Sequence, residues 1–367
     1  MMKIAIKALI ILPILFFLGC GGENETTDTE LTKVIFGVSP FQDTMLPMLG
    51  KEKGWYKEVG LDVEFRVLGW TEVQEALSSG AANRIDLGIN NISSVVATHN
   101  RNSDLVYYYG FNTFDNGFAL MIRPDGPILP LQHFLAQGLE RSDAILKTAQ
   151  QLKGKTVITT SNTDMEQGVA AVAKRGGIRF KEDIEIINLN PDEGLAAFLT
   201  GTGDAFIGGI PQRTRAGQEG MIEMITGIDL GPPPINGIVT TRSYASENED
   251  ALLKILSVWF KIVNYIDNNK DEGGKIMVDL LNLNSAANYT VDNFKLFWNN
   301  YEHYPPDLQA IEKDILSPTG GNYWKARWDD CNDYFYNIVG VIPQPVNSED
   351  AFWMGRVHPK LKELMKK

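Results

Sequence analysis

Residues 62–80 (DVEFRVLGWTEVQEALSSG) and 183–201 (DIEIINLNPDEGLAAFLTG) align without a gap at an offset of 121. Asp62, Glu64, Leu68, Glu72, Ala76 and Gly80 recur as Asp183, Glu185, Leu189, Glu193, Ala197 and Gly201. Each stretch alternates apolar and polar residues, crosses a turn, and then switches to apolar spacings of three and four. That pattern predicts a strand feeding a helix that stops at glycine. After a three-residue difference in length, Asp86-Leu87-Gly88-Ile89 and Asp204-Ala205-Phe206-Ile207 supply the next strand. A chain that carries one strand–helix–strand unit twice, this far apart, is expected to build two similar lobes facing each other across a cleft.

The alternation extends well beyond the repeat. Strands are predicted at 33–38, 61–68, 85–89, 105–110, 117–123, 155–160, 184–189, 204–208 and 221–225, with helices between most of them. Such a run implies parallel sheets covered on both faces. From Asn248 onward the pattern is almost wholly helical, in segments 248–268, 272–282, 290–301, 306–317, 321–338 and 357–366. Residues 126–152 form a long connection with helical periodicity and carry no functional signal.

The N-terminus points to a compartment. Met1–Lys7 is short and basic, Ala8–Leu18 is apolar apart from Pro13, and Gly19-Cys20 follows where a signal peptidase would cut. The apolar run falls short of the ~20 residues that span a bilayer, so residues 1–19 read as a signal peptide. Phe17-Leu18-Gly19-Cys20 resembles a bacterial lipobox, with phenylalanine where leucine is commoner. On that reading Cys20 becomes the first mature residue and carries lipid, residues 20–32 are a flexible polar tether, and the protein sits on the extracytoplasmic side of a bacterial membrane. Losing Lys3 and Lys7 takes the formal charge from −12 to −14, which argues against nucleic acid as a partner. Cys331 is the only other cysteine, so no intrachain disulfide is expected.

Several segments resemble the ATP-driven importer solute-binding proteins of the nitrate, sulfonate, taurine and thiamine-precursor group. They are Lys51-Glu52-Lys53-Gly54-Trp55-Tyr56-Lys57-Glu58-Val59-Gly60-Leu61-Asp62, Leu152-Lys153-Gly154-Lys155-Thr156-Val157, and Asn236-Gly237-Ile238-Val239. The likeness covers roughly residues 33–270. It implies an α/β, two-lobe periplasmic-binding-protein-like fold (type II), with a helical C-terminal part. Lobe I would comprise 33–122 and 238–367 and lobe II 123–237, joined by crossings near Met121–Pro124 and Gly237–Thr241. It further implies a monomer that binds a small molecule, such as a thiamine precursor, a sulfonate or a related organic acid or heterocycle. The bound form would dock on an ABC permease, with no cofactor.

In open parallel sheets ligands sit beyond the carboxyl ends of strands, where helix N-termini point. The loops at those ends nominate Phe41, Gln42, Trp70, Asn90 and Asn91 for one wall, with Phe111 at a further strand end. Ser161, Thr163, Asp192, Gln212 and Arg213 are nominated for the other. Many of these residue types also cap helices; Thr71 with Gln74 is a capping-box pattern and Asn190-Pro191 an N-cap followed by proline. Trp70, in a strand-to-helix turn, suits a wall that stacks on a planar or apolar ligand. Arg213 is the only cation in these loops, and either pairs with a ligand acid or is solvated on its helix.

One enzyme branch resembling the group makes the thiamine pyrimidine with a histidine and a cysteine-rich motif. Here His99, His133, His303 and His358 lack metal-ligand spacing and no cysteine cluster exists, so a binding protein rather than an enzyme is expected. A ligand-binding sensor without a permease shares every one of these sequence features. The N-terminal reading is tested by Cys20→Ala, which should move the protein from the detergent phase to the aqueous phase in phase partitioning.

Overall fold

The computed structural model describes residues 30–78, 83–285 and 288–366. The expected signal peptide, Cys20, most of the expected tether and Gly80 lie outside these residues. The body that begins at Leu31 contains two five-stranded sheets. Ten strands supply them: β1 Thr32–Val38, β2 Leu61–Val67, β3 Leu87–Asn91, β4 Leu105–Thr113, β5 Ala119–Ile122, β6 Thr156–Thr159, β7 Glu185–Asn188, β8 Ala205–Phe206, β9 Ile222–Thr226 and β10 Ile235–Thr241. The strand orders are β2-β1-β3-β10-β4 and β7-β6-β8-β5-β9.

The repeat seen in sequence is a repeat in space. In the first sheet Ile35 pairs with Glu64 and Val38 with Val67; in the second, Thr156 pairs with Glu185 and Thr159 with Asn188. Adding 121 to each number of the first set gives the second. A matching pair of side-chain bonds seals the next strand. Asp86 accepts from the Ile35 amide at 2.8 Å, and Asp204 accepts from the Thr156 amide at 2.9 Å. The two units lie in different sheets.

The sheets are mixed rather than parallel. β10 runs antiparallel to β3 and β4, and β5 antiparallel to β8 and β9. Each of these strands has just arrived from the other sheet, so it enters its new sheet from the opposite end. β5 pairs entirely within the second sheet. The chain therefore leaves the first sheet between Thr113 and Ala119, upstream of the expected Met121–Pro124. It returns between Thr226 and Ile235, upstream of Gly237–Thr241. The two crossings bond to each other, Phe114 N to Pro234 O at 3.1 Å and Gly227 N to Phe118 O at 3.2 Å.

Period-two alternation divides the core of the second sheet. Leu120, Ile122, Val157 and Ala205 join one buried cluster, while Ala119, Met121, Ile158 and Phe206 join the cluster on the other face. The long connection after β5 forms helices Leu131–Ala136 and Arg141–Gln150, whose Leu131, Ala144 and Ala149 enter the first of these clusters. Helix Glu249–Asn268 buries an apolar stripe from Leu252 to Ile266 over the first sheet. It crosses helix Leu46–Glu52 at Gly50, where a Cβ would stand 3.0 Å from Val258. Cys331, in helix Trp324–Asn332, is fully buried, as a small apolar residue would be.

The C-terminal helices also reach the second sheet's helices. Arg327 donates to Gln167 and Tyr334 to Glu166, both at 2.8 Å. Periodicity marks these segments as helical but carries no sign of this contact, which joins residues 160 and 168 positions apart.

β10 admits no side chain at Gly237. A Cβ there would fall 2.1 Å from Tyr109 O and 2.8 Å from Gly110 Cα, beside a register irregularity at Asn236/Gly237. Gly237→Ala should cost about 1–3 kcal/mol through overpacking against backbone, read as a lowered denaturation midpoint with an unchanged m-value.

Candidate functional site

The carboxyl ends of the parallel strands of both sheets converge on a cavity of about 30 Å³. Phe41, Trp70, Phe114, Phe118, Met165 and Pro234 give it apolar walls, and Asp43, Asp164 and Asn236 give it polar ones. It lies between two larger cavities, of about 320 and 400 Å³. Trp70 is shared with the first of these, and Phe114, Phe118, Asp164 and Pro234 with the second. Residues from the two sheets meet here: a Cβ on Gly209 would stand 2.8 Å from the Phe41 ring and 3.2 Å from Gln212 Oε1.

Phe41 meets Trp70 edge to face, with ring centroids 5.6 Å apart. Trp70 is buried, and its Nε1 has no hydrogen-bond partner. Asn90 holds this tryptophan's loop in place, with Nδ2 donating to Trp70 O at 3.1 Å and Oδ1 accepting from the Asn91 amide. Asn91 caps helix Ile92–His99 through Oδ1, which accepts from the Ser94 amide, while its Nδ2 has no partner. Gln42 is fully buried and donates to Glu302 at 2.9 Å.

On the other side, Thr163 precedes helix Asp164–Arg175 and donates to Thr160 O; Ser161 donates to Glu166 Oε1 at 3.0 Å. Both line the 320 Å³ cavity. Asp192 accepts from Gln212 Nε2 at 2.8 Å, which leaves Gln212 Oε1 unpartnered.

Gln42, Asn90, Asn91, Asp192 and Gln212 line none of these three cavities, and Phe111 and Arg213 are committed to other parts of the fold. Phe111 is fully buried and stacks on Trp259 at 3.7 Å, because β4 lies beneath helix Glu249–Asn268. Arg213 is neither solvated nor turned to the cavity. It pairs with Glu223, donates to the carbonyls of Asn116 and Gly117, and covers the Tyr301 ring at 4.2 Å. Its guanidinium satisfies the backbone of the first crossing, a structural task that spacing alone does not reveal.

The strongest feature of the site is a pair of acids that was not among the nominated residues. Asp43 and Asp164 are both buried, and both line the central cavity. They are 121 residues apart, so the repeat carries one onto the other, and that offset is the sequence signal that could have found them. Asp43 Oδ2 accepts from Asn112 Nδ2 at 3.2 Å and from Asn236 Nδ2. Burial raises its pKa against those bonds. Asp164 Oδ1 makes no well-formed hydrogen bond, although the Asn91 amide is near enough to favour the charged carboxylate. Burial pushes its pKa up to about 6, and the charge of Asp43 adds to that; the nearby Asn91 amide and the Arg327 guanidinium oppose it. Glu302, bonded to Gln42 and Tyr304, is raised well above the ordinary value, again by burial and then by Asp43. Among the described residues no group of three or more His, Cys, Asp or Glu is placed to hold a metal ion.

A raised acid destabilises the folded state once the unfolded chain ionises first. For Asp164 that loss of stability begins near pH 3.8 and is complete above about 6. Asp164→Asn should therefore be more stable than wild type at neutral pH, by up to about 3 kcal/mol at ~1.4 kcal/mol per pKa unit, and should melt at a higher temperature. The gap should close below pH 3.8. Parallel melts of the two proteins across that range check it.

Comparison with known proteins agrees with this architecture. A protein of Bacillus subtilis (strain 168) named "Putative aliphatic sulfonates-binding protein" is 25% identical over 321 residues, covering 84% of this chain and 86% of its own. The periplasmic aliphatic sulphonate binding protein SsuA of Escherichia coli superposes with a TM-score of 0.65 at 16% identity, over 88% of this chain and 92% of that one. The periplasmic nitrate-binding protein NrtA of Synechocystis PCC 6803 gives 0.67 at 14% identity, over 92% and 89%. These likenesses show a periplasmic-binding-protein-like fold. The NMT1-like family matches residues 27–282, most of the chain, and the protein belongs to that family.

Proposed function

We propose that this protein is an extracytoplasmic solute-binding protein that captures a small organic ligand between two lobes and delivers it to an ABC-type importer. Lobe I is residues 32–113 with 235–367, lobe II is 119–226, and the crossings at 114–118 and 227–234 form the hinge. The supporting observation is the central cavity. It joins the strand ends of both sheets and is lined by repeat-related acids and by polar atoms that have no protein partner. Buried polar groups in proteins are normally hydrogen-bonded, so unpartnered ones gathered at a convergence of strand ends are what a binding site presents. The relatives named above, an aliphatic sulphonate binder and a nitrate binder among them, favour the same reading. Lipid at Cys20 would hold the protein, as a monomer, on the extracytoplasmic face of the membrane, within reach of a permease.

Closure between such lobes is a hinge motion that ligand drives through its higher affinity for the closed form. A thermal-shift screen of alkanesulfonates, nitrate, amines, amino acids and nucleobases should return a ligand, and small-angle scattering should show contraction on its addition. Trp70→Ala should then cost roughly 1–3 kcal/mol of affinity, as other buried aromatic anchors do, with a smaller effect on the apo melting temperature. Unchanged affinity together with a large loss of apo stability would make Trp70 a packing residue and move the site elsewhere.

A further inference from the structure

The hydrogen-bond polarity of the central cavity specifies what kind of head group it takes, on the reading that it is the ligand site. Four amides around it have their orientation set by carboxyl groups. Asn112 and Asn236 both donate to Asp43, Gln42 donates to Glu302, and Gln212 donates to Asp192. An amide that donates through nitrogen is left with its carbonyl oxygen as an acceptor. Accordingly Gln42 Oε1, Asn112 Oδ1, Gln212 Oε1 and Asn236 Oδ1 are all buried and unpartnered, and Asp164 Oδ1 joins them. Buried donors without a partner are Trp70 Nε1, Asn91 Nδ2, which lies close enough to Asp164 to favour its charged form, and Arg327 Nε, with the Ser39 and Tyr289 hydroxyls able to donate or accept. Asn236, Asp43 and Asp164 line the cavity itself. Gln212 Oε1 stands beside Gly209, which also lines it.

Charge points the same way. An oxyanion would bring like charge against two buried acids and set acceptors against acceptors, an arrangement that excludes a ligand. Helix N-termini bind anions in many proteins, but Asp164 is the first residue of helix Asp164–Arg175 and places a carboxyl group at that positive end. The nearest guanidinium, Arg327, lines the adjoining 400 Å³ cavity with Asp164 rather than this one and donates to Gln167; its charge favours the ionised form of Asp164 but leaves Asp43 without a cation. Arg213 is committed to Glu223 and to the first crossing. A cationic N–H donor, by contrast, forms charge-assisted bonds to the acids and meets the faces of Phe41, Trp70, Phe114 and Phe118 favourably.

We propose that the cleft binds a small organic cation, an ammonium or amidinium group on an apolar body, through Asp164 and Asp43. The test uses probes that share one ring and differ in head group: benzylamine and benzamidine against benzenesulfonate and benzoate. Each is titrated into the purified full chain by calorimetry and thermal shift. At least one cation should bind tenfold or more tightly than either anion, and Asp164→Asn should weaken that cation tenfold or more while remaining folded by circular dichroism. Asp43→Asn should act in the same direction. Tighter binding of benzenesulfonate than of both cations overturns the proposal; if Trp70→Ala weakens that binding, the solute-binding reading stands without it. Cation affinity unchanged in folded Asp164→Asn overturns it as well, and so does failure of both cations to bind at millimolar concentration.

Discussion

The first sheet in this protein is completed only by β10, a strand that arrives after the chain has built the whole of the second sheet. β10 lies between β3 and β4, and β5 lies between β8 and β9. Backbone amides and carbonyls buried in a sheet must be paired, so β3 and β4 are left without their shared neighbour until the chain has returned from the second sheet. Two crossings are the consequence. They run side by side, linked at Phe114–Pro234 and Gly227–Phe118, with Thr226 Oγ1 bonded to Asn116 Oδ1 between them. Arg213 then binds the carbonyls of Asn116 and Gly117. The segments that join the two sheets are thus short and heavily bonded.

The same return of the chain builds the site. β10 brings Asn236 up to Asp43, and β4 brings Asn112 to the same carboxyl oxygen. Three segments far apart in sequence therefore meet on one buried acid. Asp43 is held by bonds that favour its charge, yet burial prevails and its pKa is raised. Asp164, with fewer partners, is raised to about 6. Uncompensated buried acids cost folding stability. Their gathering in the cavity is an expense of the kind that binding sites carry and that cores avoid.

The helices after β10 do more than cover the first sheet. Arg327 and Tyr334 touch Gln167 and Glu166 on the helix that begins at Asp164. Glu166 is itself fully buried and also accepts from Ser161 Oγ and the Asn162 amide. The helical C-terminal part therefore adds a non-covalent tie across the halves beside the two covalent crossings.

Much of this was legible in the chain itself. A 121-residue offset foretold two equivalent strand–helix–strand units, because alternation and helical spacing are local consequences of side-chain direction. Alternation along the chain located nine of the ten strands to within a few residues and placed Phe41, Gln42, Trp70 and Gln212 at strand ends, but β10 was expected only as a crossing. The same offset linked Asp43 to Asp164, although only their burial singled them out among many acids at helix starts. Residue-type patterns could not supply which sheet β5 joins, because a strand's period says nothing of its neighbour. Nor could they show that Phe111 lies under a distant helix or that Arg213 clamps a crossing, since both depend on chain brought in from far along the sequence. Amide orientation was decided last of all: Asn and Gln read alike at every position, and only the carboxyl groups folded against them determined which of their atoms are left without a partner.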